Sequence, residues 1–313
     1  MPFKVLIIGL GNIGLLYDLS KKNVQLTHST AFFKNKSFQI IGGVDRSQKR
    51  VNVFEKKFKI TGFIKVESAL KNLKPDIIVV STNTGNHLRM INKIFSYKNK
   101  CKIIICEKPC GKSLDEIKKI DKISKKNKCK IFVNYMRASS NHALYLKKFA
   151  NTHKEYFKGV SYYTNGILND ASHYINLFQF IFGKIKKIKN DIYKSQKSKI
   201  NNFTLFFKNG EIKFICLNNL RYNNSKFEIY FKNNMIYYNS DHNVLKVFNI
   251  IKNKIYNNNN IIDFKSDKFF DLGFKNIQSK VVSEVLRMKK NKHYNLIGIK
   301  EAIETMKIIK KLK

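Results

Sequence analysis

The sequence predicts an α/β chain with two parts: a doubly wound parallel sheet, then an α+β part with a large, mainly antiparallel open sheet. Three observations support this. The chain opens on a short apolar run that leads directly into a glycine-rich loop. Apolar runs then alternate with helical patterns to about residue 135, and half-alternating strand patterns dominate from about residue 156. We place the domains at 1–135 and 136–313, with the final helix able to pack back on the first.

The first predicted strand, residues 5–9, ends in the spacing G-x-G-x-x-G at Gly9, Gly11 and Gly14. Gly9 allows the sharp turn, Gly11 lets a pyrophosphate approach the backbone, and Gly14 lets the next helix pack closely on the strand. The amides that open this helix favour phosphate. This pattern predicts a dinucleotide-binding Rossmann domain, with Asn12 and Ile13 also beside the cofactor. A plain strand-to-helix turn is the alternative.

An insertion and a strand-end carboxylate follow the glycines. Residues 15–27 interrupt or flank the first helix, whose pattern resumes at 28–33, and the second strand at 38–44 ends at Asp45. A carboxylate there accepts hydrogen bonds from both ribose hydroxyls of adenosine and repels a 2′-phosphate, so it favours NAD over NADP. Arg46 weakens that preference, and NADP stays possible. An ordinary turn residue is the alternative for Asp45.

The rest of the first domain alternates strictly. We predict strands at 62–63, 77–80, 102–106 and 130–133, and helices at 51–58, 67–73, 87–95 and 114–127, the last capped by Ser113. The strand ends meet ligands in doubly wound sheets. The residues after the 77–80 strand that we expect around the ribose and nicotinamide are therefore Thr82, Asn83 and His87.

The hydrophobic pattern changes in the second half of the chain. We predict strands at 157–164, 185–193, 203–208, 212–217, 227–232, 235–239 and 244–250, with hairpin turns at 209–210 and 233–234. A polar loop at 257–260 and helices at 269–288 and 298–312 complete the chain. A further helix is expected at 168–182. This pattern predicts one large sheet with helices on one face.

The formal net charge is +40, which invites a nucleic-acid or membrane-surface function. Only six of the 61 basic residues are arginine, however, and the lysines are spread along a chain rich in Asn and Ile and without Trp. An AT-rich genome produces this composition through its codons. We therefore predict a solvated lysine-rich surface, no nucleic-acid partner, and a field that attracts anionic cofactors and substrates.

Other classes are excluded by apolar run lengths and cysteine spacing. No apolar stretch reaches the length of a membrane span, and the N-terminal run is too short for a signal peptide, so we expect a cytoplasmic protein without a membrane partner. Five cysteines without a C-x-x-C pair predict neither a disulfide framework nor a metal site.

Six motifs occur together in order: G-L-G-N-I-G at 9–14, V-D at 44–45, T-N-T-G-N-H at 82–87, E-K-P at 107–109, N-Y-M-R at 134–137 and G-I-L-N-D-A-S-H at 166–173. In this ordered set of motifs, the chain resembles the glucose–fructose oxidoreductase, inositol dehydrogenase and rhizopine-catabolism family. The resemblance implies a dinucleotide domain followed by a mixed-sheet domain whose open face pairs in oligomers. It also implies hydride transfer at a sugar or polyol carbon, and a homodimer or homotetramer that forms through the C-terminal sheet.

Within this resemblance, Lys108 of E-K-P is expected near the nicotinamide and the reacting carbon, with Glu107 beside the cofactor. An ammonium group at this place polarises a carbonyl or stabilises a developing alkoxide. Pro109 would hold a fixed turn, in the cis or trans form. By composition alone Lys108 is one surface lysine among many, and only the E-K-P context favours the catalytic role.

The second catalytic candidate is His173. The family carries an Asp and a His four residues apart on one helix, and the His moves the proton in alcohol–ketone interconversion. Here Asn169 takes the place of that Asp, with Asp170 next to it. An amide positions a hydroxyl but does not orient an imidazolium by charge. The alternative for His173 is a hydrogen-bonded core histidine.

Together these features predict an NAD(P)-dependent oxidoreductase acting on a hydroxyl or ketone of a sugar or nucleotide sugar. Arg137 and Tyr163 are candidate substrate contacts, although both could be structural. The stretch N-D-A-S-H resembles a family branch from clusters that make bacterial surface sugars. Two alternatives remain open: a non-catalytic NAD-binding sensor or scaffold, and a glycosidase that uses bound NAD transiently.

Overall fold

A computed structural model gives the fold of residues 1–97, 101–195, 198–217, 220–256 and 259–312. The predicted polar loop at 257–260 lies partly outside these residues. Within the described ranges, no helix combines the length and apolar character that crossing a membrane requires.

A six-stranded parallel sheet forms in the first half of the chain, in the order β3-β2-β1-β4-β5-β6. Its strands are β1 (Phe3–Ile8), β2 (Phe38–Val44), β3 (Gly62–Phe63), β4 (Ile77–Val80), β5 (Ile103–Cys106) and β6 (Lys130–Val133). The helices between them are α1 (His28–Phe33), α2 (Gln48–Phe58), α3 (Val66–Asn72), α4 (His87–Ser96) and α5 (Leu114–Lys126). The strand order reverses between β1 and β4, which is where such sheets bind ligands. The predicted doubly wound sheet is confirmed.

The strands of this sheet are apolar on both faces. Every side chain of β4 and of β5 is buried, and residues such as Ile7, Val79 and Ile105 share one core cluster with Phe54 of α2. A parallel sheet covered by helices on both faces needs continuous apolar strands instead of alternating ones. This is why the sequence pattern located the strands closely.

The first helix is interrupted after one turn. Residues 11–17 form that turn, closed by hydrogen bonds from the N–H of Leu15 to Gly11 O (2.8 Å) and from the N–H of Tyr17 to Asn12 O (3.0 Å). The chain then leaves the helix for the segment that the sequence indicated as an insertion.

The helix resumes where it stopped. At the start of α1, the N–H of His28 donates to Ile13 O (3.0 Å) and the N–H of Ser29 donates to Gly14 O (3.1 Å). These are the carbonyls that the next helical turn would use in an unbroken helix. The insertion is therefore a loop excursion inside one helix.

One buried carboxylate closes this loop. The Asp18 side chain is fully buried, and it accepts hydrogen bonds from the N–H of Leu26 (2.9 Å) and from the N–H and hydroxyl of Thr27 (3.0 and 2.9 Å). The hydroxyl of Thr30 adds a further bond of 2.9 Å. Because the carboxylate has these donors inside the protein, its burial is compensated and the ends of the loop are fixed together.

The second half of the chain forms an eight-stranded sheet in the order β14-β13-β12-β11-β7-β10-β9-β8. Its strands are β7 (Phe157–Tyr163), β8 (Lys187–Ser195), β9 (Ser198–Phe207), β10 (Gly210–Cys216), β11 (Lys226–Tyr230), β12 (Asn234–Asn239), β13 (Val244–Lys252) and β14 (Asn260–Asp271). Of the strands described in this sheet, β7 and β10 pair in parallel and the other neighbours run antiparallel. The predicted open, mainly antiparallel sheet is confirmed.

Among the described residues, two α-helices lie between β6 and β8. They are α6 (Asn141–Thr152) and α7 (Ser172–Phe182), and a π-helical turn at Ile167–Ala171 leads into α7. The ring of Phe178 on α7 lies 5.9 Å from the ring of Phe214 on β10 and 5.0 Å from that of Phe227 on β11. Aromatic side chains therefore attach α7 to the sheet.

Two elements of this half differ from the prediction. Helix α6 was not predicted at all, and the start of the predicted 269–288 helix belongs to β14, since the helix α8 is Ile277–Lys289. Within the described part of the chain, strand β14 lies at the edge of the sheet beside β13. An edge strand buries less of its surface and carries a weaker hydrophobic pattern, so its sequence resembles a loop.

The chain returns to its first half near the end. One compact unit contains Met1–Ser139 and Phe274–Met306, and the other contains Ser140–Gly273 and the segment from Lys307 onward. The predicted boundary at 135/136 did not include a returning segment before the last helix, α9 (Ile299–Leu312). Helix α8 returns because its apolar face, with Val282, Val285 and Met288, joins the core of the parallel sheet.

Candidate functional site

The glycine loop brings three backbone segments into contact. Gly9 has a positive φ of 103°, and a Cβ there would lie 2.6 Å from Ser81 C. A Cβ on Gly14 would lie 2.0 Å from Gly9 O, and the hydroxyl of Ser81 donates to that same oxygen at 2.8 Å. These distances leave no room for a side chain. The turn predicted at Gly9 and the close packing predicted at Gly14 are confirmed.

Gly11 differs from its neighbours because its missing side chain would meet open space. Apart from its chain neighbours, the described atom that would lie nearest to a Cβ at Gly11 is Nη1 of Arg50, at 3.9 Å. The backbone is therefore accessible from outside, and the first amides of the following turn have no acceptor within the turn. This cradle fits a pyrophosphate, the group for which the loop was predicted.

Asp45 follows β2 and lies beside this loop. It is 9% exposed, and its carboxylate accepts from the N–H of Leu10 (2.9 Å) and of Ser47 (2.9 Å). The Nη1 of Arg50 is 3.5 Å from the same carboxylate. The group is thus fixed at the carboxyl end of β2, where the sequence predicted the ribose partner.

A cavity of about 240 Å³ opens over the ends of β1, β2 and β4. The predicted residues that line it are Gly9, Gly11, Asp45, Arg46, Thr82 and Asn83. Its wall also includes four cationic residues that the sequence did not single out: Arg50, Lys65, Arg89 and Lys93. The hydroxyl oxygen of Thr82 is buried without a hydrogen-bond partner among the described residues, so it is available to a bound molecule.

Arginine is concentrated around this cavity. Three of the six arginines in the sequence line it, against two carboxylates, Asp45 and Glu67. Glu67 is paired with Lys93, and that contact lowers the pKa of its carboxyl group. The remaining cations favour an anionic occupant such as a dinucleotide.

His87, a predicted cofactor contact, has another position. The residue is fully buried, with Nε2 2.8 Å from Thr82 O and Nδ1 3.1 Å from Pro109 O. A neutral imidazole donates only one hydrogen bond, and we assign its proton to Nε2 because that contact is shorter. The ring bridges the segments that follow β4 and β5, and it is not among the residues that line the cavity. A direct contact of His87 with the cofactor stays a prediction.

Burial lowers the pKa of His87 below its ordinary value of 6.5, although the two carbonyl groups and the charge of Glu107 act in the opposite direction. The loss of hydration outweighs the favourable contacts of the charged ring. His87 is therefore a neutral structural residue at physiological pH.

The E-K-P turn follows β5 at the same edge of the sheet. The N–H of Glu107 donates to Val80 O (2.9 Å), and the peptide bond between Lys108 and Pro109 is cis. Lys108 is half-buried. Of the two forms that the sequence allowed for Pro109, the structure has the cis form.

The Glu107 carboxylate faces inward. Its Oε1 lies 2.7 Å from Nε2 of His28 and 2.6 Å from Nδ2 of Asn134. Burial alone would raise the pKa of this carboxyl group, but the contacts with His28 and Asn134 outweigh it, and the pKa is lowered. Glu107 was predicted beside the cofactor; its carboxylate is instead bonded within the protein.

In the second unit, the predicted pair Asn169 and His173 spans the π-helical turn and the start of α7. Asn169 is exposed, whereas His173 is 9% exposed. The neighbouring Asp170 is buried, and its carboxylate accepts from Thr164 N (3.0 Å) and from the Ser225 hydroxyl (3.1 Å). Asp170 therefore serves to attach the π-helical turn to the sheet. A π-turn inside a helix frequently occurs at functional sites.

The two predicted substrate contacts differ in character. Tyr163 is fully buried and donates its hydroxyl to Asn201 O (2.5 Å), and burial raises its pKa. This is the environment of a core residue. Arg137 is half-buried, with its guanidinium carbon 5.6 Å from the ring of Phe274. A role for Arg137 in substrate binding stays a prediction.

Comparison with known proteins supports the site. Residues 3–135 match the model of an oxidoreductase family with an NAD-binding Rossmann fold, the family that the sequence motifs resemble. The resemblance, and NAD as the cofactor of this fold, are confirmed over that segment. No curated protein matches the chain by sequence.

Solved structures resemble the whole fold. The oxidoreductase yvaA from Bacillus subtilis has a TM-score of 0.77 at 14% identity, over 100% of this chain and 96% of that one. UDP-N-acetylglucosamine 3-dehydrogenase GnnA from Acidithiobacillus ferrooxidans has 0.74 at 11%, over 100% and 97%. The WlbA dehydrogenase from Bordetella pertussis, solved with NADH and UDP-GlcNAcA, has 0.70 at 14%, over 99% and 94%. At these identities the likeness establishes the fold.

The two glycines predict different outcomes for the same substitution. Gly11→Ala places a methyl group in open space, so we expect an unchanged thermal midpoint and an NADH affinity at least about tenfold weaker, because the pyrophosphate loses its close approach. Gly14→Ala places a methyl group 2.0 Å from Gly9 O, so we expect loss of stability. NADH fluorescence titration and thermal unfolding measure both. Unchanged NADH affinity in Gly11→Ala would contradict the cradle.

The lowered pKa of His87 makes stability depend on pH. As the pH falls below 6.5, the unfolded chain takes up a proton on this ring while the folded chain does not, so protonation favours unfolding. His87→Gln keeps an N–H for Thr82 O and removes the titration. We expect the thermal midpoint of the wild type to fall more than that of His87→Gln between pH 7.5 and 5.5. Equal falls in the two proteins would show that this histidine does not contribute.

Proposed function

We propose that the protein is an NAD(P)-dependent oxidoreductase that transfers a hydride between nicotinamide and a hydroxyl or ketone of a sugar or nucleotide sugar. One observation carries the proposal: the open cradle at Gly11 and the E-K-P turn at Lys108 follow strands of one parallel sheet, at its carboxyl edge. This is the edge at which such sheets hold a cofactor and the groups that act beside it.

The substrate class rests on relatives and on charge. GnnA is a dehydrogenase of UDP-N-acetylglucosamine, and WlbA was solved with UDP-GlcNAcA. Both ligands are anionic nucleotide sugars. A net charge of +40 attracts such ligands. We therefore favour a nucleotide sugar, in a route that makes a bacterial surface glycan, over a neutral polyol.

The chemistry assigns one task to each side chain. In the oxidative direction, His173 takes the hydroxyl proton, the substrate carbon loses a hydride, and a carbonyl group forms; reduction is the reverse. Bound NAD⁺ supplies the hydride acceptor. The ammonium group of Lys108 stabilises the negative charge that develops on the substrate oxygen, and Asn169 orients a sugar hydroxyl.

A second candidate function has its own support. The family position that carries an Asp is Asn169 here, and the carboxylate of Asp170 is bonded to Thr164 N and the Ser225 hydroxyl. The amide of Asn169 carries no charge that would orient the His173 imidazolium. This favours, as the alternative, an NAD-binding sensor or scaffold without turnover. A glycosidase that uses bound NAD transiently is the further alternative on this fold.

We also propose a homo-oligomer that forms through the second sheet. Edge strand β14 exposes Ile261 (43%), Phe264 (66%) and Phe269 (61%). Large exposed apolar side chains along an unpaired strand edge favour association with another chain. A second copy would pair or cover this edge.

Replacement of either catalytic residue tests the enzyme proposal. In Lys108→Ala and in His173→Ala we expect turnover to fall at least about a thousandfold, because oxyanion stabilisation or proton transfer is lost. NADH affinity should stay within about twofold of the wild type. The assay follows NADH absorbance with a panel that begins with UDP-N-acetylglucosamine and includes free sugars and polyols.

Lys102→Ala and His153→Ala are the matched controls, since both residues lie outside the assigned positions, and they should retain full activity. If Lys108→Ala also keeps full activity, the assignment is wrong. Tight NADH binding by the wild type with no redox change across the panel would favour the sensor. Release of a free sugar without net NADH would favour the glycosidase.

The oligomer proposal predicts a change of mass. The double variant Phe264→Asp and Phe269→Asp should shift the mass from light scattering to that of one chain, because charged side chains oppose burial of the edge. Tyr156→Asp, which changes an equally exposed aromatic residue outside β14, is the control and should keep the wild-type mass. A wild type that is already a monomer would overturn the proposal.

A further inference from the structure

The loop inside the first helix changes which residue occupies one position. The N–H of His28 donates to Ile13 O, the bond that residue 17 would make in an unbroken helix. Tyr17 itself bonds to Asn12 O and is 51% exposed. The excursion therefore removes Tyr17 from this position and brings His28 into it.

The imidazole of His28 reaches the E-K-P turn from there. Its side chain is 1% exposed, and Nε2 lies 2.7 Å from Oε1 of Glu107. The Nδ2 of Asn134 lies 2.6 Å from the same oxygen and 3.3 Å from Oε1 of Gln278 on α8. Helix α1 and the residue after β6 therefore both contact this carboxylate, and α8 contacts Asn134.

The second carboxylate oxygen acts on the next residue. Oε2 of Glu107 accepts from the main-chain N–H of Lys108 at 3.3 Å. On the other side, Pro109 O faces Nδ1 of His87 at 3.1 Å. Two buried histidines from different helices therefore flank the turn. Of these two, His28 is the one that contacts the side chain of Glu107, the residue before Lys108.

The proton on His28 has a defined place. Nδ1 is buried and has no hydrogen-bond partner among the described residues. A proton on Nδ1 would be buried without an acceptor, which costs free energy. The proton therefore lies on Nε2 and is donated to Glu107, a buried carboxylate whose charge needs such donors.

We propose that His28 is a positioning residue for Lys108: with Asn134 it fixes the Glu107 carboxylate, and this carboxylate fixes the Lys108 main chain. The inference rests on the proposed function, in which Lys108 acts on the substrate oxygen. A displacement of about 1 Å at such a residue can lower the rate about a hundredfold. The cavity residues Gly11 and Asp45 do not depend on this contact, so cofactor affinity does not change with it.

The test compares two substitutions of His28. In His28→Ala we expect kcat with UDP-N-acetylglucosamine and NAD⁺ to fall about 10- to 100-fold, with the KM for NAD⁺ within about twofold. His28→Gln offers an amide N–H to Glu107 and should restore kcat to within about threefold of the wild type. Thr30→Val is the matched control. It removes a buried 2.9 Å hydrogen bond from the same helix to Asp18, without a contact to Glu107, and should keep the wild-type kcat.

A second measurement does not require turnover. Hydrogen–deuterium exchange of the peptide that contains residues 103–112 should be faster in His28→Ala and normal in His28→Gln, both with NADH bound. If the wild type turns over no sugar, the proposed function fails, and this exchange still decides the inference. Unchanged exchange in His28→Ala, or a His28→Gln variant as impaired as His28→Ala, would overturn it.

Discussion

The structure depends on the contact between the glycine loop and the end of β4. The carbonyl group of Gly9 lies against Gly14 and also accepts the Ser81 hydroxyl, while the N–H of Gly9 bonds to Val44 O of β2. Backbone atoms and the small Ser81 hydroxyl fill this point, so the ends of three strands and the first helical turn converge. The cofactor cradle, the Asp45 carboxylate and the cavity wall all follow from that convergence.

The sequence predicted most of the first sheet correctly. Its strands are buried on both faces and are therefore apolar throughout, as Ile77–Val80 and Ile103–Cys106 show. The glycine motif could also be predicted from the sequence, because the atoms that exclude a side chain at Gly9 and Gly14 belong to the loop itself or to the end of the adjacent strand. The family match over residues 3–135 covers this same part of the chain. The hydrophobic pattern and the family match therefore predict the same fold in the part of the chain where the strands are fully buried.

What the sequence did not predict arises from contacts between distant segments. His87 resembled a cofactor contact because it follows a strand end, but its ring lies between the carbonyl groups of Thr82 and Pro109 and donates to Thr82 O. Helix α8 carries an ordinary apolar face, and nothing in its own sequence says that this face belongs to the parallel sheet. The inward direction of Glu107 depends on His28, which is far away in the chain. The orientation of these side chains and the packing of this helix depend on tertiary contacts, so the nearby sequence carries no signal for them.

The arginines of the dinucleotide cavity have a meaning that depends on the chain around them. Codon usage in an AT-rich genome pushes basic positions towards lysine, and an exposed cation tolerates that drift because only its charge matters. An arginine that binds an anion through two parallel hydrogen bonds does not tolerate replacement by lysine, because lysine lacks the planar guanidinium group. In this chain, three of the six positions that keep a guanidinium group surround one cavity, and this concentration by itself indicates where an anion is recognised.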